Sequence, residues 1–167
     1  MRLNLSQIIE VPGGSVPFSC TLDPADLDFE QIKSYKSAPR AEGCVKNSAG
    51  VLELTGTIKA ELRCICDRCG GEFDSVKETD LSAIISEDDS EEDDPDVFPL
   101  EGDSVDLTEI LRTLFVLDVD SKFLCSPDCR GLCPVCGRNL NLGPCDCRKE
   151  TDPRMAVLEQ LLDKEDK

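Results

Sequence analysis

The chain has 167 residues, with 35 Asp and Glu against 18 Lys and Arg, a formal net charge of −17 and no histidine. Such a length holds one domain with a real core and a small appendage. The charge excludes nucleic-acid binding by bulk attraction, and the lack of histidine excludes Ser-His and Cys-His triads and imidazole metal ligands.

Residues 1–9 and 16–22 read as the first strands, and 26–29 as a helical turn. A strand at 41–46 reaches Asn47-Ser48-Ala49-Gly50, a hairpin turn in composition. The clearest signal in the chain follows. Leu52, Leu54, Ile58, Ala60, Leu62 and Cys64 alternate with Glu53, Thr55, Thr57, Lys59, Glu61 and Arg63, the period of a half-buried antiparallel strand. Cys64 lies on the apolar face and is expected in the core. Gly70-Gly71 permits a reversal, and 72–85 returns with Leu81, Ala83 and Ile85 on one face. Residues 86–109 hold twelve acidic side chains and no basic one. Their composition predicts a mobile loop, solvated or attractive to a basic partner. Asp106, with Glu109 three residues on, marks a helix start. Leu107, Ile110, Leu111, Leu114 and Phe115 form its core-facing stripe. Asp152-Pro153 opens a last helix, with Met155, Leu158, Leu161 and Leu162 on one face.

The longest apolar runs are four residues, and the opening MRLNLSQIIEVPGG lacks the apolar core of a signal peptide. A cytoplasmic chain that spans no membrane is expected. In a reducing compartment clustered cysteines are metal ligands or redox groups before they are disulfides.

Of eleven cysteines, Cys20 and Cys44 stand alone, and Cys64, Cys66 and Cys69 form a first group. Cys125, Cys129, Cys133, Cys136, Cys145 and Cys147 form a second, the most informative stretch of the chain. In Cys133-Pro134-Val135-Cys136-Gly137 two intervening residues let a tight turn bring both thiolates to one metal. The other two ligands come from Cys145 and Cys147 downstream or from Cys125 and Cys129 upstream; spacing does not choose between them. The segment is too short and polar to build its own core, so a metal would supply its folding energy. Structural Zn2+ is preferred over disulfides, a dithiol redox site at Cys133/Cys136 or Cys66/Cys69, and an iron–sulfur cluster. Cys66 and Cys69 are candidates for a second metal site, against the blander reading of half-buried thiols at a hairpin tip.

Three features together resemble the YceD-like family, the large ribosomal RNA subunit accumulation proteins. They are Cys66-Asp67-Arg68-Cys69 after a long strand, an acidic segment leading into Asp106-Leu107, and the block from Cys125 through Cys133-Pro134-Val135-Cys136-Gly137 to Cys145-Asp146-Cys147 and Asp152-Pro153-Arg154. The resemblance covers nearly the whole chain. It implies a non-enzymatic role in ribosome biogenesis, supporting accumulation of large-subunit ribosomal RNA. Some members lack the Cys-rich block, so the metal need not carry the shared role.

The net charge favours a basic ribosomal protein or a precursor of the large subunit as partner, with direct contact to ribosomal RNA left open. From Lys122 to Lys149 five basic residues face two acidic ones, a local +3. Arg63, Arg68, Arg130 and Arg138 are the candidate contacts. The competing functions are a thiol–disulfide oxidoreductase and a zinc- or redox-sensing chaperone built on the Cys-x-x-Cys pairs. The expected architecture is α+β. Residues 1–121 form an antiparallel sheet, open or strongly curled, with one main packed helix and an acidic mobile loop at 86–105. Residues 122–167 form a Cys-rich zinc-binding module with a C-terminal helix.

Overall fold

A computed structural model describes residues 1–86 and 96–147. Eight strands and one α-helix follow in the order β1 (Arg2–Asn4), β2 (Ser15–Thr21), β3 (Ile32–Tyr35), β4 (Arg40–Ser48), β5 (Val51–Ile65), β6 (Glu72–Ser86), β7 (Val97–Pro99), β8 (Ser104–Asp106) and α1 (Leu107–Asp118). The class is α+β and mostly sheet. The main sheet runs β2-β4-β5-β6-β7, with β3 added to the far half of β5, and it is open.

The long alternating run is the spine of this sheet. Leu52, Leu54, Ile58, Ala60, Leu62 and Cys64 are all buried, and each has its polar neighbour on the other face. β5 pairs with β6 along its whole length, from Leu52↔Ile85 to Ile65↔Glu72. Its other edge is shared: β4 takes Val51 to Lys59, and β3 takes Leu62 to Cys64. Gly43 and Gly56 face each other across β4 and β5. A Cβ on Gly43 would fall 2.2 Å from the Thr55 carbonyl oxygen and 2.8 Å from Phe18 Cζ, so only glycine lets these strands close under the Phe18 ring.

The β4–β5 hairpin turns on Ala49 and Gly50, both at positive φ (54° and 99°), the geometry of a two-residue turn. Asn47, 1% exposed, locks it. Its Nδ2 donates to the Ile8 and Ile9 carbonyls at 2.7 and 2.8 Å, and its Oδ1 accepts from the Gly50 N–H at 2.8 Å.

α1 begins where expected. Asp106 accepts from the Thr108 N–H at 3.0 Å, and Leu107, Ile110, Leu111, Leu114 and Phe115 are buried. The helix packs against β6 and β1. Phe115 meets the ring of Phe29 edge-on, centroids 6.5 Å apart.

Three expectations change. The strand expected over 1–9 ends at Asn4, because its Oδ1 accepts from the Ser6 N–H at 3.1 Å and turns the chain. Leu5 and Ile8 still reach the core, from a turn. β3 was not expected, because a register shift between Ile32 and Ser34 breaks its alternation. The acidic stretch also contains structure. β7 pairs parallel with β6 and buries Phe98, and β8 pairs with β1 and buries Val105. The main sheet is therefore mixed and not wholly antiparallel. Residues 87–95 of the acidic stretch, and the expected helix from Asp152, lie outside the described residues.

Candidate metal centres

All eleven cysteines are unpaired thiols, and eight converge in two groups of four. Cys66 and Cys69 sit on the turn between β5 and β6, where they meet Cys125 and Cys129. Cys133, Cys136, Cys145 and Cys147 form the second group. Within each group the sulfurs lie within 4.8 Å of one another. Thus the structure joins the Cys133/Cys136 pair to the downstream thiols and gives the upstream pair to the hairpin tip. Cys64 points into the core, and Cys20 and Cys44 lie apart from both groups.

The two Cys-x-x-Cys turns are built alike. The Gly70 N–H donates to the Cys66 carbonyl at 2.8 Å, and the Gly137 N–H to the Cys133 carbonyl at 2.9 Å. Both glycines follow the second cysteine at positive φ, 65° and 70°, which lets the chain leave without crowding the sulfurs. Such turns expose backbone N–H groups to sulfur; the Val135 N–H lies 3.4 Å from Cys133 Sγ.

The first group is assembled across the fold. The Asp67 carboxylate accepts from the Phe123 N–H at 2.7 Å, and the Asp67 N–H donates to the Phe123 carbonyl at 2.9 Å. Arg68 Nη1 donates to the Pro127 and Cys129 carbonyls at 3.3 and 3.2 Å. These bonds bring Cys129 Sγ to 3.8 Å from Cys66 Sγ, and Cys125 Sγ to 3.8 Å from Cys69 Sγ. A metal with four bonds of about 2.3 Å in a tetrahedron sets its sulfurs about 3.8 Å apart, so the cage has the right size. Gly131, at φ 70°, would place a Cβ 2.9 Å from the Arg68 carbonyl oxygen, so the two segments touch there backbone to backbone.

The charges inside each group conflict in a way a cation resolves. Burial opposes ionisation of Cys66, but N–H groups of Cys125, Cys69 and Arg68 aimed at its sulfur bring it down to about 6. Cys125, hydrogen-bonded to the Cys129 sulfur and partly desolvated, is pushed up to about 12. In the second group the backbone N–H groups of Cys136 and Val135 bring Cys133 to about 6, while Cys147, against the Cys136 sulfur, rises to about 12. Each group thus sets a ready thiolate, Cys66 or Cys133, beside at least one thiol that resists ionising, Cys125 or Cys147. A thiophilic divalent cation removes the conflict.

The candidate contact residues divide. Arg63 is paired with Asp74 at 2.6 Å and with Glu72 at 3.4 Å, and Arg68 is engaged with carbonyls as above. Arg130 and Arg138 are exposed on the C-terminal segment, beside exposed Leu132, Val135 and Leu142. Sequence reasoning missed Asp67 and Asn141, whose Nδ2 lies 3.3 Å from Cys129 Sγ.

The family model described as "Large ribosomal RNA subunit accumulation protein YceD" matches residues 54–162. The chain belongs to the YceD family. The match takes in all eight clustered cysteines. Among relatives of this YceD-family chain, the chloroplastic large ribosomal RNA subunit accumulation protein YCED homolog 1 of Arabidopsis thaliana is 30% identical over 151 residues. That alignment covers 68% of the chain but 46% of the relative, so the chain spans about half of the plant protein's length. An uncharacterized protein of Mycobacterium bovis is 31% identical over 172 residues, covering 97% of the chain and 81% of the relative. The uncharacterized protein YlbN of Bacillus subtilis is 25% identical over 172 residues, covering 99% of both. No solved structure matches the chain. Among the described residues no helix is long and apolar enough to cross a membrane.

Proposed function

We propose that this chain is a non-enzymatic, cytoplasmic ribosome-assembly factor that supports accumulation of large-subunit ribosomal RNA, and that both cysteine groups hold Zn2+. The observation that carries the role is membership of a family named for that accumulation, through a match that spans the β5–β6 hairpin, α1 and the cysteine module. All-thiolate cages of this size suit structural zinc. In this reading the sheet of residues 1–121 is the scaffold and residues 122–167 are the metal-held module. The chain-wide charge of −17 favours a basic partner, a ribosomal protein or a precursor particle. Arg130 and Arg138 are the contacts best placed for phosphate or acidic groups at the module, since Arg63 and Arg68 are engaged within the fold.

Sucrose-gradient sedimentation of lysate containing the tagged chain tests this. Co-migration with large-subunit precursors at low salt, weakening at moderate salt, is the expected result. A chain found only at the top of the gradient, with normal large-subunit RNA after its depletion, would overturn the reading.

A further inference from the structure

The two cysteine groups differ in kind. Cys66, Cys69 and Cys129 of the first are buried, whereas Cys133 is the buried member of the second. The first joins parts of the chain 56 residues apart, Cys69 to Cys125. The second is confined to residues 133–147, and its two ligand pairs are linked by the loop 137–144.

That loop reaches back to the first group. Asn141 Nδ2 donates to Cys129 Sγ at 3.3 Å, and Asn141 Oδ1 accepts from the Arg130 N–H at 2.8 Å. Asn139 Oδ1 holds the Asn141 side chain and backbone, accepting from Nδ2 at 2.9 Å and from the N–H at 3.0 Å. The Leu140 N–H donates to the Gly131 carbonyl at 2.9 Å, and the Cys133 N–H to the Arg138 carbonyl at 2.8 Å. A bridge between Leu132 and Asn139 completes a short antiparallel ladder. Residues 138–141 therefore lie along 129–133, the segment that joins the two groups.

Resting on the reading that both groups hold zinc, we infer that the two centres are coupled through Asn141, the exposed centre acting as the metal-responsive one and the buried centre feeling its occupancy. Metal on Cys133, Cys136, Cys145 and Cys147 fixes both ends of the loop. The fixed loop presents an N–H to the Cys129 thiolate, which relieves charge on a dianionic tetrathiolate centre and orients its ligand. Groups that bond to metal ligands in this way carry about ten- to a hundredfold in metal affinity. The effect is reciprocal, since any coupling between two binding equilibria must be. Its consequence lies at the junction of module and sheet. The buried centre reinforces the hydrogen bonds of Asp67 and Arg68 that tie them, so loss of metal from the exposed centre loosens that tie without breaking any of its ligands.

The test uses the full chain loaded with 113Cd2+ as probe. Wild type should show two tetrathiolate resonances, assigned with Cys145→Ser/Cys147→Ser. In that variant the remaining first-centre resonance should shift, and a chelator should remove this metal about tenfold faster than from wild type. Asn141→Asp keeps the acceptor for the Arg130 N–H and loses the donor to sulfur; Asn141→Ala removes both without adding charge. Each should keep two metals, move the first-centre resonance more than the second, and speed first-centre release by about tenfold. First-centre release rates and resonances equal to wild type in these variants would overturn the coupling and leave two independent centres standing. A wild-type chain that takes up fewer than two metals would overturn the two-centre reading itself.

Discussion

Cys125→Ser/Cys129→Ser removes from the first centre the two thiols that come from outside the sheet, leaving Cys66 and Cys69 on the hairpin turn. The cost follows by two routes. A site held at free metal 1,000 times its Kd stabilises the folded state by about 4 kcal/mol. Cys69 and Cys125 are 56 residues apart, and a cross-link closing a loop of that size constrains the chain by about 4 kcal/mol. The Asp67–Phe123 bonds and the Arg68 bonds remain, but hydrogen bonds of this kind contribute about 1 kcal/mol each and do not replace the tether. For a domain of this size each kcal/mol moves the unfolding midpoint by about 2–4 °C, so a fall of about 8–16 °C is expected. The assay is a thermal scan at fixed free zinc, together with metal content by atomic emission, which should drop from two ions per chain to one. A midpoint within about 2 °C of wild type, with metal content unchanged, would refute the reasoning.

Gly131→Ala forces a side chain into φ 70° and against the Arg68 carbonyl; a loss of about 1–2 kcal/mol and faster metal release from the first centre are expected, and unchanged urea midpoints would contradict the close approach. Lys33 and Arg63 hold Glu72, and Lys36 and Arg63 hold Asp74, below the usual carboxylate range. A lowered folded pKa gives stability that is complete above the unfolded value, about 4, and is lost as pH falls through the folded one. Between pH 5 and 3, each taken as about a unit from that value, wild type should lose more stability than Glu72→Gln/Asp74→Asn; parallel curves would argue against these pairs. Arg130→Glu/Arg138→Glu should weaken co-sedimentation with large-subunit precursors at low salt while leaving metal content and unfolding midpoint as in wild type. Undiminished co-sedimentation would remove both residues from the contact surface.

The hairpin and the helix were legible because each buries one face and exposes the other. Leu52 to Cys64 carries a period of two whose one gap in the apolar face is Gly56, and Leu107 to Phe115 a stripe with a capping Asp106 in front of it. Where a local feature disturbs the period, the element disappeared from view. The register shift after Ile32 hid β3, and the charge surrounding Phe98 and Val105 hid β7 and β8, although these two side chains alone anchor their strands in the core. The Asn4 turn shortened β1 for a reason visible only in its side-chain bond. For the metal site, residue types and knuckle spacing were legible, but partner choice was not. Cys125/Cys129 and Cys145/Cys147 flank Cys133/Cys136 on either side, and spacing treats them alike. The choice is made by tertiary bonds from Asp67 and Arg68 to residues 123–129 and by the ladder between Leu132 and Asn139.

The separation of the first group's cysteines along the chain also sets an order of events during synthesis. The β5–β6 hairpin has only local pairings and can form soon after Ser86 leaves the ribosome. Its tip then carries Cys66 and Cys69 as half a cage. Thirty-nine residues separate Ser86 from Cys125, and at about 5–20 residues per second the second half emerges roughly 2–8 s after the hairpin is complete. The other group has all four cysteines within residues 133–147, which emerge together. A nascent chain therefore spends seconds with an open dithiol turn presented on a formed hairpin. The first group closes when an emerging cysteine pair is captured by one already waiting.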